Sequence, residues 1–235
     1  MNIVFDIETD DLDATLIWCI VCQDIDTRKV YRFGPDKIET GLAFLQEANL
    51  IIGHNIIGFD IPVIKKLYDI DLLSKKLIDT LVLSRLYNPV RDGGHSLDTW
   101  GFKLNYPKLD FKEFETYSSE MLEYCVNDVK LNTLVYEALQ KEGEDFSEDC
   151  SELEHDVFKI MKQQEENGFL FNKKEASIFV AELRQKLSEI EDEVHKVFKP
   201  KWVDVKTVTP YVKKDGELSK RGLTDEEYKT CLSTK

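Results

Sequence analysis

Short apolar runs separated by polar turns dominate the beginning of the chain. The runs are rich in Ile, Val, Tyr and Phe, which predicts strands of an antiparallel meander at residues 2–8, 14–25 and 28–34. Apolar residues at helical spacing follow and predict a helix over residues 36–48. A short and fully apolar strand is predicted at residues 50–53.

The rest of the pattern is mainly helical. It predicts one more strand near residues 76–78, and helices at residues 60–69, 79–86, 96–102, 119–141, 151–167 and 173–198. Gly168 and Pro200 are the residues that we expect to end the last two helices. Strands that alternate with helices after an initial meander imply the α/β class, with a mixed sheet flanked by helices.

A strongly charged stretch at residues 141–149 (KEGEDFSED) marks the predicted domain boundary. We expect one domain at residues 1–145 and a helical C-terminal extension with a polar tail at residues 146–235. The tail beyond residue 200 has little periodicity and is predicted to be extended, mobile or incomplete.

Composition limits the class of protein. No apolar run approaches the roughly 20 residues of a membrane span, and no signal peptide opens the sequence, so a cytoplasmic protein without a membrane partner is expected. The net charge of −14 argues against a general nucleic-acid binder, which relies on Lys and Arg. The five cysteines have no framework spacing, and Cys19 and Cys22 are predicted to lie in the core on opposite faces of a strand.

Asp6 and Glu8 are the first candidates for chemistry. They lie two positions apart in the first predicted strand, so their side chains point to the same face. Two like charges held side by side beside apolar residues disfavour folding, and a bound divalent cation reverses that balance. The pair therefore indicates a metal site; two solvated acids at a strand end are the alternative.

Further acids follow along the chain. Asp60 closes the string NIIGFD and opens a predicted helix, where capping is the alternative role. Tyr124 and Asp128 lie four residues apart in the long predicted helix and hence on one face of it.

Together, DIET at residues 6–9, NIIGFD at 55–60 and YxxxD at 124–128 resemble the three motifs of the DEDD exonucleases, in the subclass with Tyr in the third motif. The resemblance implies a ribonuclease H-like five-stranded sheet and two divalent metal ions, Mg²⁺ or Mn²⁺. By this resemblance the metal ligands are Asp6, Glu8, Asp60 and Asp128. Oxygen ligands suit these hard cations.

The resemblance also implies individual roles. Asp6 bridges both ions, Glu8 and Asp128 complete the shell of the tighter ion, and Asp60 holds the second ion largely through water. Tyr124 orients the attacking water. The expected contacts to the terminal nucleotide are Thr9, His54, Asn55 and Phe59. For His54, a packed or hydrogen-bonded structural residue is the alternative.

The stretches HNIIGFDIPVI, GGHSLDTWGFKL and, at 154–172, EHDVFKIMKQQEENGFLFN resemble the proofreading part and the thumb start of the family A DNA polymerases of T-seven-like bacteriophages. The implied activity is 3′ to 5′ hydrolysis of single-stranded or frayed DNA ends to nucleoside monophosphates, in the host cytoplasm. A DEDD ribonuclease that trims RNA 3′ ends is one alternative. A non-catalytic accessory subunit, docked on a separate polymerase polypeptide with palm and fingers, is the other.

Overall fold

A computed structural model describes residues 1–199 and, beyond them, residues 212–213, 217–219, 223–224 and 226–229. The chain divides into two compact units, Met1–Phe169 and Leu170–Lys235. Most of the polar tail, including Pro200, lies outside the described residues, and so does most of the prediction about it.

The elements agree with the predicted pattern to within a few residues. The strands are β1 (Asn2–Thr9), β2 (Ile17–Asp24), β3 (Val30–Phe33), β4 (Leu50–Gly53) and β5 (Lys76–Asp79). The described α-helices of seven or more residues are α1 (Ile38–Gln46), α2 (Asp60–Tyr68), α3 (Thr80–Tyr87), α4 (Leu97–Lys103), α5 (Ser119–Glu142), α6 (Glu148–Asn167) and α7 (Lys173–Val197). A short 3₁₀ helix, Pro35–Lys37, precedes α1.

The strands form one five-stranded sheet in the order β3-β2-β1-β4-β5. β1, β2 and β3 pair antiparallel, as the predicted meander requires, whereas β4 pairs parallel with both β1 and β5. The mixed α/β sheet flanked by helices is therefore confirmed. The strand order places β1 in the centre of the sheet.

Alternation along β1 separates two apolar cores. Ile3, Phe5 and Ile7 belong to the core that α1 and α2 cover. Val4 belongs to the opposite core, where it packs with residues of α5 such as Val129. Because Asp6 and Glu8 share the parity of Val4, they lie on the sheet face that α5 covers.

The two cysteines of β2 follow the same rule. Cys19 packs in the α5 core and Cys22 in the α1 and α2 core, and both are buried. The prediction that they lie on opposite faces of the strand is confirmed.

Helix α6 belongs to the first compact unit. It packs against α3, and Lys76 of β5 forms an ion pair with Glu148 at its start. The unit thus extends past residue 145, where the sequence placed the boundary, because contacts of α6 reach back across the charged stretch. The assignment of residues 146–235 as the start of a thumb stays a prediction.

Apolar side chains are exposed on both α6 and α7. On α6 they include Val157, Ile160 and Met161, and on α7 they include Ile178, Leu183 and Leu187. Among the described residues, no helix is both long and apolar enough to cross a membrane.

Candidate metal centre

Two of the predicted acids, Asp6 and Glu8, lie in β1 on the sheet face that α5 covers. Glu8 is buried, and the register between β1 and β2 shifts directly after it, at Thr9. A carboxylate oxygen of Asp6, one of Glu8 and the Sγ of Cys125 on α5 all lie within 4.8 Å of one another. The structure therefore brings Asp6 and Glu8 together as the alternation predicts.

Asp60 approaches the same part of β1 from the start of α2. Its Oδ1 accepts a hydrogen bond from the backbone N–H of Ile7, which lies between Asp6 and Glu8, at 3.3 Å. The N-cap residue of α2 is Phe59, with no side-chain capping hydrogen bond. Asp60 is therefore a buried acid beside β1 rather than the cap considered as its alternative role.

Helix α5 contributes Tyr124 and Asp128. Asp128 is buried, and its Oδ1 has no hydrogen-bond partner in the described structure. Its Oδ2 lies 2.6 Å from the Nζ of Lys108, and the same ammonium lies 4.9 Å from the centre of the Tyr124 ring. The spacing of four residues thus places the phenol and the carboxylate around one point.

Burial raises the pKa of each acid, and neighbouring acids add to the rise for Asp6, Glu8 and Asp60. Burial, then Asp60 and Glu8, raise the pKa of Asp6 well above its usual range. Burial is also the main reason why the pKa of Glu8 rises to about 9 and that of Asp60 to about 7. Burial raises the pKa of Asp128, although Lys108 opposes the rise. Such shifts mean that the apo site is poorly compensated and favours an added positive charge.

The donor set fits a divalent cation of the Mg²⁺ type. Carboxylate oxygens are its preferred ligands, and Oδ1 of Asp128 is a buried acceptor for which the described part of the chain provides no donor. Cys125 adds a thiol beside Asp6, at 3.7 Å from Oδ2, but burial raises the pKa of that thiol well above its usual range. A protonated thiol is a weak ligand, so the acids define the chemistry of the site.

Of the four predicted nucleotide contacts, Thr9 ends β1, His54 and Asn55 follow β4, and Phe59 is the N-cap of α2. Thr9 is buried, and its hydroxyl donates to the carbonyl of Asp11 at 2.9 Å. Phe59 is partly buried against the core below α2. Asn55 adopts a left-handed conformation with φ 64°, and its side chain lies so close to Gly58 that a Cβ there would be 2.3 Å from Oδ1.

His54 is held as a structural residue. Its Nδ1 is hydrogen-bonded to the hydroxyl of Thr80 at 2.9 Å, and burial lowers its pKa to about 3. A neutral imidazole that is tied to α3 matches the alternative interpretation of this residue. Its role toward substrate stays a prediction, like those of Thr9, Asn55 and Phe59.

Sequence reasoning missed Lys108 and Cys125. Lys108 lies in an irregular segment between α4 and α5, where no periodicity links it to the acids. Cys125 was not singled out among the five cysteines, although its position three residues before Asp128 on α5 is a signal that it lies near the acids. Asp79 is the N-cap of α3, where its side chain accepts from the backbone N–H of Leu81.

Comparison with models of protein families finds no match. The chain is, however, 26% identical to the DNA-directed DNA polymerase of Escherichia phage T7 over an alignment of 252 positions. It is 25% identical over the same length to that of Enterobacteria phage T3. The chain is a homologue of these phage DNA polymerases. Each alignment covers 80% of this chain but 36% of the polymerase, so the chain spans little more than a third of its relatives.

Solved structures agree on the fold of this polymerase homologue. Brucella melitensis NrnC bound to pGG has a TM-score of 0.55 and 18% identity, over 69% of this chain and 81% of NrnC. Escherichia coli RNase D, an exoribonuclease involved in structured RNA processing, has a TM-score of 0.53 and 15% identity, over 69% of this chain and 45% of RNase D. The chain therefore has the ribonuclease H-like fold of these nucleases.

Proposed function

We propose that the chain is a metal-dependent 3′ to 5′ exodeoxyribonuclease that serves as the proofreading part of a phage DNA polymerase. The observation that carries the proposal is the convergence of acids from three separate motifs around the second half of β1. Asp6 and Glu8 come from β1, Asp60 from α2, and Asp128 from α5 with Tyr124 one turn before it. Homology to phage DNA polymerases supports the same activity.

The ligands in this proposal are Asp6, Glu8, Asp60 and Asp128, which would hold two ions, Mg²⁺ or Mn²⁺. The chemistry that two such ions supply when bound is activation of water, neutralisation of the scissile phosphate and stabilisation of the leaving 3′ oxygen. A solved NrnC structure of the same fold carries bound Mg²⁺. The buried carboxylates would supply the negative charge that holds the ions.

Tyr124 would position the attacking water rather than deprotonate it. Burial raises its pKa above the usual range, so the phenol keeps its proton at neutral pH. A protonated hydroxyl on the same helix face as Asp128 both donates and accepts hydrogen bonds, which suits it to orient a water molecule.

DNA is the proposed substrate, and RNA is the alternative that the RNase D likeness raises. The homology to DNA polymerases covers 80% of the chain, which cannot fit within residues 1–145. It therefore extends into the region that we assign to the start of a polymerase thumb, residues 146–235. An enzyme that only trims RNA would have no use for that region.

A separate polymerase polypeptide with palm and fingers is the proposed macromolecular partner, alongside the single-stranded or frayed 3′ end. The exposed apolar residues of α6, and separately those of α7, support coverage by another protein. Pull-down of a palm and fingers fragment by the chain would test this, and lack of association would contradict it.

The decisive test of the activity compares 5′-end-labelled single-stranded DNA with matching RNA. Each is incubated with the chain in Mg²⁺, in Mn²⁺ and in chelator, next to the Asp6→Ala/Glu8→Ala variant. The matched control is Glu113→Ala/Glu115→Ala, which removes two exposed acids instead. We expect metal-dependent shortening of DNA by single nucleotides from the 3′ end, lost only in the first variant.

Three other results would contradict the proposal. Cleavage of RNA alone would favour the ribonuclease. Wild-type activity in a folded Asp6→Ala/Glu8→Ala variant would remove the site assignment, and the absence of any cleavage would favour the non-catalytic accessory subunit.

A further inference from the structure

Lys108 places a positive charge inside the acid cluster. Its Nζ lies 2.6 Å from Oδ2 of Asp128, and the two side chains are only 21% and 5% exposed. The other lysine of this segment, Lys112, pairs instead with Asp110, and both side chains are 82% exposed. Lys108 therefore differs from a surface lysine, whose ion pair contributes little.

The segment around Lys108 is held against α5. The indole Nε1 of Trp18 donates to the carbonyl of Phe114 at 2.9 Å. The ring centres of Phe111 and Phe114 lie 5.5 and 6.1 Å from that of Tyr124, over which the Lys108 ammonium lies. Contacts with Trp18 of β2 and with Tyr124 of α5 thus hold the segment that positions the ammonium at the site.

The Lys108 ammonium only partly compensates the cluster. It carries one charge and pairs with one oxygen of Asp128, while Oδ1 of the same carboxylate has no hydrogen-bond partner among the described residues. Asp6, Glu8 and Asp60 are further acids around the same point. A divalent ion that takes Asp128 as a ligand needs its lone pairs and repels the ammonium, so the two cations compete.

We propose that Lys108 is the resident counter-cation of the metal-free centre, which holds Asp128 in place and is displaced from it when a divalent ion binds. The inference rests on the proposed function, since it requires Asp128 to be a metal ligand. Its consequence is that Lys108 lowers the affinity for the first ion while it keeps the α5 side of the site assembled.

Metal affinity provides the first test. Mn²⁺ binding to the full chain is measured by titration calorimetry without nucleic acid, for wild type, Lys108→Met, Lys108→Arg and the control Lys112→Met. We expect Lys108→Met to bind Mn²⁺ about tenfold more tightly, a size typical of coupling between two ligands. Lys108→Arg keeps the charge and Lys112→Met keeps Lys108, so both should stay within about twofold of wild type.

An unchanged or weakened affinity in folded Lys108→Met would overturn the proposal. A second measurement uses only the wild-type chain and so does not depend on the folding of a variant. Acetylation of Lys108 by an amine-reactive ester is followed by mass spectrometry with and without Mn²⁺, and Lys112 is the internal reference. We expect Mn²⁺ to speed acetylation of Lys108 relative to Lys112; an unchanged ratio would contradict the displacement.

The same samples separate this inference from the proposed function. If the wild-type chain binds Mn²⁺ and degrades DNA but Lys108→Met binds Mn²⁺ no more tightly, only the role of Lys108 fails. If the wild-type chain neither binds Mn²⁺ nor degrades DNA, the proposed function fails with it.

Discussion

The Nε2 of His155 on α6 accepts a hydrogen bond from the backbone N–H of Asp79 at 2.7 Å. Its Nδ1 lies 2.6 Å from the carbonyl of Ser151, to which it must donate, so the neutral imidazole has a fixed tautomer. The carboxylate of Asp79 in turn accepts from the backbone N–H groups of Asn55 and Ile57, at 2.8 and 3.1 Å. Hydrogen bonds therefore connect α6 to the loop that precedes Asp60.

His155→Ala removes the acceptor for a buried backbone N–H. Since an unsatisfied buried donor costs about 1–3 kcal/mol, we expect the free energy of unfolding to fall by that amount. Urea unfolding followed by circular dichroism measures the change. Glu154→Ala, at the exposed neighbouring position of α6, is the control and should leave the midpoint unchanged. Equal midpoints for His155→Ala and wild type would show that the bond has no stabilising role.

Asp79→Asn tests the link to Asp60. The buried carboxylate accepts three backbone N–H groups, and an amide accepts with one oxygen only. We expect a loss of about 2 kcal/mol in unfolding free energy, because hydrogen bonds to charged groups are the stronger ones. DNA cleavage at saturating substrate should fall as well, since the Asn55–Ile57 loop positions Asp60. Asp71→Asn, which alters an exposed carboxylate that accepts from Leu73, should change neither quantity.

The pH dependence of stability follows from the raised pKa values. In the metal-free fold Glu8 and Asp60 hold protons up to about pH 9 and about pH 7, whereas the unfolded chain releases them near pH 4. Their contribution is therefore fully present below about pH 4 and is lost as the pH rises through those two values. Thermal unfolding in chelator should show this decline, and saturating Mg²⁺ should remove it. If Glu8→Gln/Asp60→Asn declines in parallel with wild type, these two acids are not its cause.

Tyr124→Phe separates positioning of water from metal binding. We expect kcat to fall by about 10–100-fold, since the phenyl ring cannot orient the water, while Mn²⁺ affinity stays unchanged. Tyr136→Phe alters a partly buried tyrosine farther along α5 and should leave kcat intact. A variant that loses Mn²⁺ affinity together with kcat would instead make Tyr124 part of the metal site.

Local pattern was enough to predict most of the fold and two pairs of site residues, whereas the addition of Asp60 to them depended on the resemblance to DEDD exonucleases. The alternation in β1 places Asp6 and Glu8 on one face, and the spacing in α5 places Tyr124 beside Asp128, because both depend on fixed geometry within one element. Lys108 escaped prediction because its segment is irregular, and its partner is 20 positions away on another element. His155 escaped for the same physical reason, as a contact over 76 positions has no local signature.

Anomalous diffraction from crystals soaked in Mn²⁺ and a nucleoside monophosphate tests the central claim most directly. We expect a strong manganese peak at coordinating distance from the carboxylates of Asp6, Glu8 and Asp128, with a second peak between Asp6 and Asp60. The Asp6→Ala/Glu8→Ala crystals should lack the first peak. A saturated wild-type crystal with manganese elsewhere, or with no peak at these four acids, would contradict the assignment of this site as a metal-dependent exonuclease centre.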